Sequence, residues 1–305
     1  MRRTHLIMLL LIVARPAAAQ DPATAALPSG FSGELSVGAE YNSNLSVDEI
    51  DVSSDQSDYA LRLGGALDYG RELSEQTEWS LGYSISQSLY EEFSQLDRQT
   101  HILSTGLDYE VGKGKMAANY YYVNSRLDGE DFLKQHRISP SVSGFLARDW
   151  FLRGAWVYSE TELDNNTARD ADTIAVEFDI YYFVRGLQTY WNLGYRYKDE
   201  EAAADRFTYQ SNGFKARLVH RFNWLKQTCR MELAWRYEDR DFEGITPSIG
   251  EQRADDRHRL RAELQIPMGD ILTAEFFFNY NDYESNFPNA DYDQEIGGVE
   301  FTVAW

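Results

Sequence analysis

Residues 297–305 read GGVEFTVAW, and their reading decides the fold. In an extended chain successive side chains point to opposite faces. Val299, Phe301, Val303 and Trp305 therefore share one face, and Gly298, Glu300, Thr302 and Ala304 the other. A chain that stops on a bare aromatic carboxy-terminus frays in water unless a neighbour holds it. The expected neighbour is another strand.

The same alternation recurs upstream from residue 33. Leu35, Val37, Ala39 and Tyr41 share a face; so do Leu61, Leu63, Leu67 and Tyr69, and later Phe276, Phe278 and Tyr280. Fourteen such segments can be counted, each long enough to cross a bilayer when tilted. Pro140 suggests a bulge in the sixth. No segment of comparable strength has the helical period. Short connections (RELSEQ, GKGK, ARD, RGL, NWLKQ, PMGD) alternate with long ones at 45–57, 91–97, 128–133, 160–172, 198–206, 238–256 and 282–294. The predicted fold is all-β: a 14-stranded antiparallel transmembrane β-barrel of the outer membrane of a Gram-negative cell, with short periplasmic turns and longer external loops. Such closure leaves no exposed sheet edges.

Composition agrees. The chain has 20 Tyr, 16 Phe and 7 Trp, yet its mean hydropathy is −0.51. Aromatic surface without average hydrophobicity suits strands with one apolar face. The net charge of −20 argues against a nucleic-acid partner. It is concentrated in the long loops, which hold 30 Asp or Glu against 5 Lys or Arg. The single cysteine, Cys229, excludes an internal disulfide or a cysteine zinc cluster.

The start, MRRTHLIMLLLIVARPAAAQ, has a basic n-region, a short apolar core and a small-residue cleavage site. Residues 1–19 are read as a secretory signal peptide, 20–32 as a periplasmic linker and 33–305 as the barrel. The outer membrane is the expected location.

If the apolar face meets lipid, the other face lines the lumen. Late strands point Arg196, Lys198, Lys215, Arg217, Arg221, Arg230, Arg236, Arg257, Arg259 and Arg261 inward. Earlier strands point Glu40, Glu78, Asp108, Glu110, Glu177 and Asp179 inward. One reading is a basic wall facing an acidic side, with a transverse field that favours anionic solutes. The other is a lumen filled by arginine–carboxylate ladders, with Glu232, Glu263 and Glu275 as local partners.

Catalysis has no candidates. His101, His136, His220 and His258 fall in the lipid-facing phase, and the chain is read as not an enzyme, with no cofactor. Asp291, Asp293 and Glu295 alternate in an acidic loop, but no loop has an EF-hand pattern, and no metal site is assigned. Cys229 is expected to be an inert, lipid-facing residue. Loop 238–256, the longest, is the best candidate to fold inward and narrow the tube.

The first segment ends Tyr41-Asn42-Ser43-Asn44 before an acidic loop. With fourteen strands and a terminal aromatic, it resembles the barrel domain of the surface lipoprotein assembly modifier family. The resemblance implies a barrel that helps carry lipoproteins or other proteins to the cell surface. Members typically carry a periplasmic tetratricopeptide domain before the barrel; here about a dozen linker residues are read there. The closing run Val299, Phe301, Val303 and Trp305 resembles the signal read by the barrel assembly machinery. Two functions are therefore expected: a porin-like channel for small polar or anionic solutes or, alternatively, the barrel of a surface protein or lipoprotein export system. Expected partners are outer-membrane lipid and lipopolysaccharide, the assembly machinery, and a secreted lipoprotein or periplasmic protein.

Overall fold

The alternation becomes long strands in the computed structural model, which describes residues 30–224 and 226–305. In chain order these are β1 (Gly30–Asn42), the two-residue β2 (Ser46–Val47) and β3 (Val52–Ser53), β4 (Asp58–Ser74), β5 (Thr77–Tyr90), β6 (Arg98–Val111) and β7 (Gly114–Leu127). They continue with β8 (Glu130–Ala147), β9 (Trp150–Leu163), β10 (Ala171–Leu187), β11 (Thr189–Ala202) and β12 (Tyr209–Trp224). The last are β13 (Gln227–Thr246), β14 (Glu251–Pro267), β15 (Leu272–Ser285) and β16 (Tyr292–Ala304). Fourteen of them, all but β2 and β3, form one closed antiparallel barrel. The signal peptide and most of the linker lie outside the described residues. The barrel begins earlier than position 33, because Gly30, Phe31 and Ser32 already pair with Gly70, Tyr69 and Asp68.

Closure explains the ending. β1 pairs with β4 on one side and with β16 on the other. Trp305 exchanges two backbone hydrogen bonds with Gly33, at 3.1 and 3.0 Å. A Cβ at Gly33 would lie 2.7 Å from Cζ2 of Trp305, so only glycine lets the terminal indole come this close. Val299, Phe301 and Val303 occupy the outer face of the same strand, Phe301 and Val303 being exposed.

The two faces invert the arrangement of a water-soluble protein. Leu35, Leu67, Val142, Phe178, Leu193 and Phe276 are exposed outside, whereas Arg153, Glu177, Asp179, Glu232 and Glu263 are buried inside. That pattern fits lipid as the outer solvent and a polar interior. No helix among the described residues is long and apolar enough to cross a membrane; the crossing is made by strands.

The histidines among the described residues, His101, His136, His220 and His258, lie on the outer face among other rings. His101 bonds to the Tyr83 hydroxyl at 2.8 Å, His136 to that of Tyr120 at 2.7 Å, and Tyr237 and Trp235 flank His258. Cys229 is in the outward phase opposite Phe222 but fully covered.

Two local expectations are corrected. Pro140 makes no bulge: it pairs with Ala118 in register, and on the β9 side pairing pauses at Ser139 and Pro140 and resumes unshifted at Ser141. The irregularities in β8 are instead at Phe132, between Asp131 and Leu133 on the β7 side, and between Phe145 and Ala147 on the β9 side. Loop 238–256 is mostly strand, since β13 and β14 extend to Thr246 and Glu251 and leave a four-residue tip. It rises from the barrel as a hairpin and does not fold into the tube.

Candidate functional site

The lumen wall is built first by charge pairing across adjacent strands. Arg230 is paired to Glu232 and, at 3.1 Å, to Glu263; Arg261 reaches Glu263 at 2.9 Å and Glu275 at 3.4 Å; Arg217 lies 3.7 Å from Glu232. Gln265 donates to both Glu263 and Glu275. On the other flank Arg153 lies 3.5 Å from both Glu177 and Asp179, and Lys215 2.6 Å from Asp179. A buried carboxylate is tolerable when its lone pairs are filled in this way.

The residues read as lumenal from the sequence face inward, but they do not segregate. Glu177 and Asp179 on β10 sit amid Arg137, Arg153, Arg196 and Lys215. Glu40 is bound by Arg62 at 2.7 Å, and Asp108 by Lys115. Glu78 lies opposite Asp108 and Glu110 opposite Lys115 near the short-turn rim. Arg221 donates to the Leu187 carbonyl at that rim, and Arg236 lines the lumen cavities. Of the two readings, the arrangement is that of arginine–carboxylate ladders, with Glu232, Glu263 and Glu275 as local partners, and not a basic wall facing an acidic side. Arg62, Arg98, Arg137 and Arg153 also belong to the lumen wall, and each follows the inward parity of its strand. Parity also places Tyr181, Phe183, Tyr190 and Val219 inside, where they form a buried cluster at the short-turn end.

The element that fills the opposite end is loop 43–57. It leaves β1 at the motif Tyr41-Asn42-Ser43-Asn44 and turns inward because that motif is stapled to β16. Ser43 exchanges bonds with the Glu295 backbone, at 2.9 Å through its own N–H and 2.8 Å through its hydroxyl. The Asn44 side chain donates to the Asp293 carbonyl at 3.1 Å. Gln294 donates to the Asn44 carbonyl at 2.6 Å and to the Asn42 side chain at 3.1 Å. The loop then forms the β2–β3 hairpin around a single 3₁₀ turn, Asp48–Ile50, with Asp51 in the left-handed region at φ 51°. Aspartate tolerates that conformation better than most residues.

Its side chains grip both sides of the mouth. Val47 is buried with Phe132 and Leu163, and Ile50, Leu96, Leu127 and Leu133 pack around them. Glu49 binds Arg98 of β6 at 2.6 Å. Across the mouth, Asp51 takes a bidentate pair of bonds from Arg253 of β14 at 2.7 and 3.0 Å. Asp51 also accepts from Arg169, in the β9–β10 loop. Asp48 accepts from Tyr292 and, at 3.2 Å, from Tyr283, with Arg259 at 3.9 Å. In the barrel order, β6–β9 and β14–β16 are opposite walls. Loop 43–57 is therefore a strap across the lumen. Bidentate guanidinium–carboxylate bonds are among the strongest available.

The electrostatics fit. Burial, the largest single effect on Asp51, raises its pKa, but Arg253 and then Arg169 outweigh it and hold the carboxyl at about 2. Asp48 is also burdened by burial, yet Arg259 and Tyr292 bring it below its ordinary value. Between the strap and the wall lies a cavity of about 450 Å³ bordered by Glu49, Arg98, Arg217, Arg236, Arg259 and Arg261. Among the described residues no group of acidic, histidine or cysteine side chains is arranged to hold a metal ion.

A family model described as surface lipoprotein assembly modifier matches residues 36–303. The chain belongs to that family. The match spans nearly the whole described barrel, including the stapled motif and the strap. Among solved structures, a loop-deletion mutant of OmpT, an outer membrane protein of Vibrio cholerae, is 9% identical. That alignment covers 90% of this chain and 98% of the other, with a TM-score of 0.54. In-vitro folded OmpT from the same organism is 8% identical over 90% and 96%, with a TM-score of 0.52. At such identities the likeness is one of fold, that of outer-membrane barrels. No curated protein sequence matches the chain.

Proposed function

We propose that this surface lipoprotein assembly modifier barrel acts in carrying a lipoprotein or other protein to the cell surface, and that loop 43–57 keeps its mouth closed between transport events. The observation that carries the reading is the strap, whose carboxylates bind arginines on opposite walls. A segment tied to both walls by ion pairs and an apolar cluster obstructs a tube that serves only diffusion. A transporter of folded or extended protein needs such a closure, because an open mouth would leak solutes.

In this reading a cleaved signal peptide delivers the chain to the periplasm, the closing strand is handled by the barrel assembly machinery, and lipopolysaccharide surrounds the acidic rim. The barrel performs no chemistry and needs no cofactor. The test is co-expression with a surface lipoprotein in a host that otherwise retains it inside. Protease-accessible lipoprotein on intact cells is expected to rise with the barrel present, and an unchanged level contradicts the proposal. A second reading, a channel for small anionic solutes, is favoured by the arginine-bordered cavity of about 450 Å³. It requires steady conductance without any opening of the strap.

A further inference from the structure

Five arginines at the mouth hold the strap, and side chains of the barrel strands and neighbouring loops also contact them. The Arg253 guanidinium lies 4.5 Å from the Phe242 ring centroid and 5.3 Å from that of Phe287. Arg257 and Arg259 lie over Tyr283 at 4.7 and 5.2 Å, Arg169 over Phe207 at 3.9 Å and Arg98 over Phe132 at 5.7 Å. Asp255, itself fixed by Ser285 at 2.7 Å, orients Arg253 and Arg257. Stacking on an aromatic face and the planar, pre-organised fork reduce the freedom of a guanidinium whether or not its ligand is present. The strap is then the occupant of a preformed site.

What occupies the site defines what it recognises. The gripped stretch is Val47-Asp48-Glu49-Ile50-Asp51: three carboxylates interleaved with two aliphatic side chains. The carboxylates meet arginines on opposite walls, and Val47 and Ile50 meet the Phe132–Leu163 cluster. A small anion cannot span both walls or fill an apolar cluster.

We infer that the mouth is a receptor for an acidic peptide segment with interleaved aliphatic residues, carried by the transported protein, and that loop 43–57 is its tethered surrogate. The inference deepens the proposed function by naming the chemistry of the cargo that opens the barrel. Binding follows the arginine-cluster mode of acidic-motif recognition. Displacement is a competition between cargo and a tethered copy present at roughly millimolar effective concentration.

The probe is a fluorescein-labelled peptide of residues 43–57, SNLSVDEIDVSSDQS, added to the refolded full chain in detergent micelles. The receptor variant D48N/E49Q/D51N frees the site. Anisotropy is expected to show saturable binding to this variant, and binding at least about tenfold weaker to the unaltered chain, because the tethered copy competes. The same peptide with its three acids replaced by amides is expected not to bind. Adding R253Q/R257Q to the receptor is expected to weaken binding. If that variant does not fold, Arg98→Gln serves, because Arg98 makes its pair to the loop at a half-exposed position.

No binding to the freed receptor overturns the inference, as does equal binding of acidic and neutral peptides. Binding of lipopolysaccharide or inorganic phosphate where the peptide fails also overturns it. Failed peptide binding with lipoprotein delivery intact removes this inference alone. Peptide binding with delivery absent removes the proposed function and leaves the receptor.

Discussion

The wall of the barrel and its mouth use the same chemistry for different ends. In the wall, Arg230, Arg261, Glu232, Glu263 and Glu275 come from adjacent strands, or from positions two apart on one strand. In the mouth, Asp51 binds an arginine 202 residues away, and the chain that carries it belongs to no barrel strand. The first set cannot separate unless the sheet opens. The second can separate if one loop swings out. Ion pairs within a sheet fix a structure; ion pairs between a sheet and a detachable segment make a closure.

The contrast is broken most severely by removing a wall carboxylate. Glu263→Ala removes the carboxylate that Arg230 and Arg261 share in a buried wall, at a cost of about 3 kcal/mol, the low end for a broken buried pair because Arg230 keeps Glu232 and Arg261 keeps Glu275. A urea titration in micelles is expected to show a large drop in midpoint. Asp51→Ala is expected to lower it much less, because Arg253 keeps Asp255 and two rings. Equal drops would erase the distinction between wall and strap.

A smaller effect concerns selectivity. In a strap-opened barrel, neutralising Arg217, Arg259 and Arg261 together removes the arginine partner of Glu275 and leaves Glu232 and Glu263 sharing Arg230 alone. Reversal potentials in a salt gradient are expected to move toward cation preference. An unchanged reversal potential in a conducting barrel would mean that these side chains do not face the permeation path.

Acid gives the smallest effect near neutrality. A carboxylate whose pKa is lowered by folding stabilises the closed form above its ordinary value, here 3.8, and that contribution is lost as pH falls toward the lowered one. Asp51, held at about 2, therefore keeps the strap closed at pH 5. Conductance is expected to stay flat from pH 7 to 5 and to rise only as pH falls below 3.8. A rise centred between pH 5 and 7 would place control on some other group.

The sequence made the strands, their parity and the closing seam legible because alternation is a local signal. Once Leu61 and Leu63 face lipid, Arg62 must face inward, and the same rule extends to Arg98, Arg137 and Arg153. The strap was not legible, because nothing local separates an acid that is solvated from one that meets an arginine on a distant strand. Asp48, Glu49 and Asp51 looked like the other loop acids. The long hairpin of β13 and β14 reads as a loop because its alternation inverts above the lipid. There Phe242 points inward and is buried, while Asp241 and Glu243 are exposed.

Single-channel conductance in a planar bilayer, comparing the unaltered chain with D48N/E49Q/D51N, tests the closure most directly. A closed or rarely opening barrel is expected for the first and stable conductance steps for the second, while shortening the tip at residues 247–250 changes nothing. Identical conductance in the unaltered chain and the loop variant would contradict it.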